Sequence, residues 1–494
     1  FTFFSVKDAY LMKLRWPVLS LLLAAFFGSH AELAEGRDPL PGYEEVAAQL
    51  RQVVRQEMKV KDLPALSIAL IDGNRMVWAD GFGFKDAKQT TPATEETVYR
   101  VGSVSKLFTD VAVMQLVEKG QFSLDVPIQN YLPNFRPRNP FGHPITLRQL
   151  MSHRSGLVRE SPIGHYFDPT EPSLQATVAS LNNTGLVYEP GTRTKYSNAG
   201  ITVVGFAVES MQKVPFARWL DKAVIEPLGM RNSSFERTDP VEAKLADAWM
   251  WNYTGRRFKA PTFVLGTAPA GNLYSTVLDL SKFVIAIVND GRTEGGRLLQ
   301  PKTLDLMMSP QKDVSGKTLS YGIGFHVSEL DGHRKIGHGG AVYGFSTQLE
   351  ALPDQKLGVV VTCSLDCSND AIQRIANHAL RLLLAQKAGE TLARFEFTEP
   401  VPKSIVQEVQ GRYRAGEQEV KLWKDGLKLF FRRGSHRLEL RWRAGELIAD
   451  DLLGFGLRIH VDDSDSLTID GTKFKRATRE HPGRTPDHWE GLIG

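Results

Sequence analysis

Residues 99–110 read YRVGSVSKLFTD. Ser103 and Lys106 stand three apart at the head of an apolar run that reaches Lys119 and stops at Gly120. A run apolar nearly all round predicts a buried helix closed by its glycine. Positions i and i+3 share a helix face, so the lysine nitrogen can reach the serine hydroxyl. A serine needs a base beside it to become a nucleophile. A lysine can be that base only if burial or a neighbouring cation depresses its pKa. The apolar helix offers the burial. Its first turn also aims N–H groups and the positive end of the helix dipole at the serine, which suits a developing oxyanion. Alone, Ser-x-x-Lys is a short motif, and the same residues also suit a helix cap followed by a surface lysine.

Two further motifs change that balance. KYSNAG (195–200) sets Tyr196 and Asn198 two apart just ahead of a helical pattern, and IGHGGAVYGF (336–345) sets His338-Gly339-Gly340 on a strand. Ser-x-x-Lys, then Tyr-x-Asn, then a basic residue with Gly-Gly, in that order, resembles the serine β-lactamase and penicillin-binding-protein superfamily. The likeness is greatest to the class C β-lactamase branch, with its related esterases and D-amino-acid peptidases. It covers roughly residues 40–390 and extends to ITLRQLMSHRSGL, YEPGTRTKYSNAG, EPLGM, PAGNLYSTVLDLSKF and YGIGF.

The resemblance implies roles. Ser103 would be the acylated nucleophile, and Lys106 would take its proton directly or through a neighbour. Tyr196 would shuttle that proton to the leaving group; a free phenol titrates near 10, so a Lys106 cation must lower it if it is to act as a base. Asn198 would bond Lys106 and the substrate amide, and the backbone N–H groups of Ser103 and Ala341 would form the oxyanion hole. His338, Gly339, Gly340 and Ala341 would line the acyl substrate. The departure lies at His338, where β-lactamases of this branch and penicillin-binding proteins usually carry a lysine that anchors the substrate carboxylate. An imidazole is largely neutral at pH 7 and anchors a carboxylate less well. Gly339 also replaces the usual hydroxyl residue. Both changes favour an esterase or a peptidase over efficient penicillin hydrolysis. Glu171 in EPSLQ resembles the deacylating glutamate of class A enzymes, but it precedes Tyr196 and Ser-Asp-Asn is absent, so it is set aside.

Around this constellation the chain is long enough, at 494 residues with 42% hydrophobic and 23% charged side chains, for two or three domains. A net charge of +4 gives no reason to expect nucleic acid. Lys13 and Arg15, the apolar stretch Trp16–Phe27 and Ser29-His30-Ala31 form a secretory-leader pattern over 1–31, with Met12 the candidate start and 1–11 upstream of it. That predicts a periplasmic or secreted protein with no membrane span after cleavage. Cys363 and Cys367 cannot build a metal cluster alone, and no HExxH occurs, so no cofactor is expected. As a CxxxC pair they read as two thiols, with a disulfide the lesser alternative in an exported chain.

The spacing predicts a helix over 43–60 and a hairpin about Asp72-Gly73-Asn74. Late hairpins follow about Asp331-Gly332 and Pro353-Asp354, and a helix closes this part near 388. The expected fold is α+β: a β-lactamase/transpeptidase-like α/β sandwich over 40–392, with an antiparallel sheet built from both chain ends, flanking helices and a helical lobe over about 125–280. A linker (393–402) and a small all-β, barrel-like domain (403–478) follow, then a tail (479–494). In that β-unit Arg432, Arg433, Arg437, Arg441 and Arg443 alternate with Glu439, Glu446, Asp450 and Asp451, which reads as a solvated face. His153 and Arg154 read as cleft scaffold, Tyr274 and Ser275 as candidates to line the site, and Asp279 as a helix cap.

The leading functional expectation is an exported serine hydrolase acting through a Ser103 acyl-enzyme on ester, amide or β-lactam carbonyls of small molecules or short peptides. A D-specific peptidase, of D-aminopeptidase or D-Ala-D-Ala carboxypeptidase type, stays open beside it. So does a penicillin-binding sensor that acylates without turnover. Oligomeric state is not legible in the sequence.

Overall fold

The computed structural model describes residues 37–252, 255–434 and 436–477; the expected leader (1–31) and the expected tail (479–494) lie outside them. Helix α1, Glu44–Lys61, turns Val46, Leu50, Val53 and Val54 inward on one face. The hairpin β1 (Ala65–Asp72) and β2 (Arg75–Gly83) follows around Gly73-Asn74. The chain then leaves the sheet for some 240 residues that hold α2 (Ser105–Glu118), α3 (Asn198–Gln212) and α4 (Val277–Val288) among shorter helical pieces. It returns as β3 (His326–Leu330), β4 (His333–Val342), β5 (Phe345–Leu352) and β6 (Leu357–Cys363), and closes with α5 (Asn369–Ala388).

The six strands form one antiparallel sheet in the order β2-β1-β6-β5-β4-β3. The first and last strands are therefore neighbours, paired from Leu66–Cys363 to Asp72–Leu357. Successive side chains on a strand face opposite ways. Ile68, Leu70, Val359 and Val361 pack with α1 and α5, whereas Ala69, Ile71, Leu349 and Val360 pack with α2, α4 and the helical lobe. Helices cover both faces, which is why these strands read as continuous apolar runs. Cys363 is buried in β6 and Cys367 is exposed beyond it; both are free thiols. Among the described residues no helix is long and apolar enough to cross a membrane.

After helix α6 (Lys403–Val409) come eight strands, β7 to β14, between Gly411 and Arg476. They close into an antiparallel barrel through the pairing of Tyr413 with Arg476. Tyr413, Leu422, Phe431, Leu447, Ile459 and Phe474 fill its interior, as an eight-stranded barrel permits. The solvated-face expectation holds for Arg432 and Arg433 but not throughout: Glu439, Arg441 and Asp450 are buried. The cause is docking. Asp450 ion-pairs with Lys61 of α1 at 2.7 Å and with Arg374 of α5 at 3.0 Å, while Glu57 takes Lys61 at 2.7 Å and Arg374 at 3.1 Å. The expected linker is packed as well: Phe395 and Phe397 join the core beneath α5, and Thr398 donates to Asp450 at 2.6 Å.

Candidate active site

Helix α2 begins at Ser105, two residues later than the motif suggests. Ser103 sits in the single 3-10 turn Gly102–Val104 that leads into it, so the serine is not the helix cap and its hydroxyl is free for other partners. Two glycines press this turn against β4. Gly102 has φ +53°, and a Cβ there would lie 2.8 Å from the Ala341 nitrogen; a Cβ on Gly340 would lie 2.0 Å from the Val101 carbonyl oxygen. Only glycine allows both approaches. They bring the backbone of 101–103 alongside Gly340-Ala341.

The Lys106 nitrogen lies 2.9 Å from Ser103 Oγ and donates to the Ala270 carbonyl at 2.8 Å. The side chain is 1% exposed. Burial drives its pKa down to about 7, with Arg159 adding to the effect and Glu160 and Asp110 opposing it. A substantial fraction is therefore the free amine at neutral pH, with a lone pair to accept the Ser103 proton. Asp110 follows one turn later on α2. It is fully buried, neither carboxylate oxygen has a hydrogen-bond partner, and burial holds its pKa well above the usual range against the pull of Lys106.

Tyr196 precedes α3, whose cap is Ser197, its Oγ accepting from Gly200 N–H at 2.9 Å. The Tyr196 ring lies over the Lys106 nitrogen at 4.9 Å and stacks on the buried His153 ring at 4.3 Å. Of the two roles open to Tyr196, acid or base, the base would need a phenol lowered by Lys106, and the phenol is raised instead. Its hydroxyl is buried without a well-formed partner, and burial raises its pKa well above 10 despite the nearby Ser103. It is a neutral donor rather than a base. His153, neutral through burial, accepts the Ser197 N–H at 3.3 Å and so scaffolds the tyrosine, while Arg154 ties to the Lys312 carbonyl. Asn198 also departs from expectation: its amide nitrogen donates to Glu160 at 2.6 Å rather than meeting Lys106, and its buried amide oxygen has no partner.

On β4, His338 stands opposite Leu349. Its Nδ1 lies 2.6 Å from the Gly339 carbonyl oxygen, an acceptor, so Nδ1 carries the proton and Nε2 presents a lone pair. That Nε2 is buried and unpartnered. Burial, reinforced by Lys106, pushes the imidazole down to about 3, so it is neutral throughout the ordinary pH range.

These groups open on a cleft of about 850 Å³ whose lining includes Ser103, Tyr196, His338, Gly339, Gly340 and Ala341. Among the lining residues that escaped the sequence reading, three bear on the chemistry. Glu160 is half-buried, with one oxygen on Asn198 and the other buried and unpartnered, and desolvation raises its pKa. Arg159 lies over the outer face of Tyr196 at 5.2 Å. Tyr166 donates to the Ala341 carbonyl at 2.7 Å. Glu160 and Arg159 were findable as a charged pair just after SHRSGL; for Tyr166 no local signal exists. Other expectations fall outside the cleft. Tyr274 and Ser275 pair with Tyr99-Arg100 away from the lining. Asp279 is not the cap of α4, which is Thr276; it holds Asn232 and Ser233 instead. Glu171 binds the Val264 N–H on the surface. No barrel residue lines this cleft among the described residues.

Comparison with known proteins agrees with the fold. The family model described as Beta-lactamase matches residues 50–383. A human beta-lactamase-like protein is 29% identical over 347 residues, 67% of each chain. The octameric penicillin-binding protein homologue from Pyrococcus abyssi superposes with TM-score 0.65 at 25% identity, over 87% of this chain and 99% of its own. A D-amino acid amidase from Ochrobactrum anthropi SV3 shares the fold with TM-score 0.60 at 20% identity, over 69% and 99%.

Proposed function

The chain belongs to the beta-lactamase family, and from that premise we propose that it is an exported serine hydrolase that opens ester and amide carbonyls through an acyl-enzyme on Ser103. One observation carries the reading: a buried lysine, titrating at about 7, sits 2.9 Å from the serine oxygen. Ser103 Oγ attacks the carbonyl carbon as its proton passes to the Lys106 amine. The charge that develops on the carbonyl oxygen is met by the Ser103 N–H, in the turn that leads into the positive end of α2, and by the Ala341 N–H on β4. The new ammonium faces the Tyr196 ring, a favourable cation–π position. Tyr196, kept neutral by burial, gives its proton to the leaving group and takes the one that Lys106 holds. Water then repeats the attack on the acyl-enzyme and returns Ser103.

β-Lactams are disfavoured within this reading. A neutral acceptor at His338 offers a ring carboxylate no cation. The sensor alternative predicts label without turnover, so time resolves it. Incubation with a fluorescent fluorophosphonate, followed by mass mapping and an ester chromogen assay, should place the label on Ser103 and show steady hydrolysis. Ser103→Ala should lose both, with activity falling about 10³-fold or more. Retained labelling and hydrolysis in that variant would end the proposal.

A further inference from the structure

The outer edge of β4 is covered only in part. β3 pairs with it from His333 to Gly337, and beyond that point Gly339, Gly340, Ala341 and Val342 line the cleft. An uncovered edge is a template to which the main chain of a ligand can add. At Ala341 both polar atoms of the backbone face the turn that carries Ser103. A Cβ on Gly102 would lie 2.8 Å from the Ala341 nitrogen and 2.8 Å from its oxygen. The N–H is free to serve as oxyanion donor, but the C=O is already taken: Tyr166 donates its hydroxyl to it at 2.7 Å. Burial, helped by Glu160, pushes this phenol up to about 12, with the Ser103 side chain among the groups that oppose the rise. It therefore keeps its proton and stays a donor beside the nucleophile. The tyrosine is also held in place. Gly164, at φ +73°, packs so closely that a Cβ there would lie 2.8 Å from the Gly266 Cα, and its N–H donates to Asp168 at 2.7 Å. The Tyr166 ring meets Tyr343 edge-on at 6.1 Å.

We infer that Tyr166 sets the acyl specificity of this site, reserving it for acyl groups with no amide N–H beside the reacting carbonyl; the inference rests on the acyl-enzyme reading above. In an antiparallel hydrogen-bonded pair, two facing residues exchange both bonds, N–H to C=O and C=O to N–H. An N-acylated aminoacyl group whose carbonyl oxygen takes the Ala341 N–H would therefore bring its own N–H to the Ala341 C=O. Tyr166 occupies that acceptor. Such a group must expel the hydroxyl or bury its N–H unpaired, and either loses a hydrogen bond. A plain acyl chain has no N–H to place and leaves the Tyr166–Ala341 bond intact. The cap thus separates two of the readings that the sequence leaves open. A D-Ala-D-Ala carboxypeptidase acts on an acyl residue that is itself N-acylated, and the cap opposes it. Simple acyl esters and amides meet no such obstacle.

The test compares two p-nitrophenyl esters of one length, N-acetylglycyl and 4-oxopentanoyl, which differ by N–H in place of CH2. Each kcat/KM is divided by the rate of the same ester with hydroxide, which removes intrinsic reactivity. The amide-to-ketone ratio of the wild type should then lie below one by roughly three- to tenfold, the scale of one hydrogen bond. Tyr166→Phe keeps the ring and uncovers the carbonyl, so the ratio should rise by roughly three- to tenfold. A ratio does not depend on how much enzyme folds. A wild-type ratio of one or more, or a ratio that Tyr166→Phe leaves unmoved, overturns the inference. Should the variant turn over neither ester, N-acetylglycinamide should protect its Ser103 from fluorophosphonate better than 4-oxopentanamide, with the order reversed in the wild type. The same order in both proteins overturns the inference as well. If Ser103→Ala still hydrolyses the esters, the acyl-enzyme reading falls instead, so the two failures are distinguishable.

Discussion

Compare two of the buried clusters of charge among the described residues: burial has opposite consequences in them. Where the barrel meets the sheet domain, Lys61, Arg374, Glu57 and Asp450 are ion-paired crosswise at 2.7–3.1 Å. Burial alone would raise the Asp450 pKa, but Lys61 and Arg374 outweigh it and hold the carboxyl below its ordinary value. In the cleft, Lys106, Asp110 and His338 are as deeply buried, and all three are driven toward their neutral forms. Burial does not decide a group's charge; the partner it meets inside does. The junction spends its charges on holding two domains, and the cleft keeps its groups short of partners so that a substrate can supply them.

Two lysines put the contrast to the sharpest test. Lys61→Met removes a cation from a saturated network and leaves two carboxylates with Arg374 alone. It should cost about 3 kcal/mol or more, read as a fall in the denaturant midpoint. Lys106→Met removes a cation that has been forced toward neutrality. It should abolish turnover yet stabilise the fold by about 1–2 kcal/mol. The sign follows from linkage: with a folded pKa near 7 and an unfolded one near 10.4, the unfolded chain binds more protons between those values, so Lys106 weakens the fold at neutral pH. Equal destabilisation by both variants would erase the distinction. Asp450, in contrast, strengthens the fold above the unfolded carboxyl pKa near 3.9, and its contribution fades as pH falls through its lower folded value.

His338→Lys should have a smaller and purely selective effect. It places a cation among orphan acceptors, so activity toward carboxylate-bearing lactams should rise about tenfold relative to short acyl esters. If both activities fall together, the anchoring argument is wrong.

How far these clusters could be read in advance depends on the range of the pattern. Ser103 with Lys106, Tyr196 with Asn198, and His338 with its glycines are local spellings, and the fold brings Ser103, Tyr196 and His338 to one cleft wall with Lys106 beneath. The sheet was equally legible, because its hairpin turns and apolar strands are local signals. Glu160 and Tyr166 come from a loop whose position only the folded lobe defines. The junction was misread for a related reason. Glu57 and Lys61 are spaced like a surface helix pair, and Asp450 sits among alternating charges; nothing short of the barrel's docking reveals that they are buried together.

Asp110 is the instructive miss, since it stands inside YRVGSVSKLFTD itself. An acid four residues after Lys106, in a helix apolar on every side, shares the lysine's face and has nowhere exposed to go. Its effect on Lys106 should be the smallest of those considered, because burial keeps it largely protonated; only its ionised fraction raises the lysine. Asp110→Asn removes that fraction. The Lys106 pKa then falls further below about 7, and the free amine persists to lower pH. The acid limb of kcat/KM should move down by less than about one unit, the variant gaining on the wild type near pH 6 and matching its profile shape above pH 8. A purely structural role would lower activity by the same factor at every pH. A limb that moves upward would mean that Asp110 is not a counter-charge to the lysine, and would return the residue to the packing of α2.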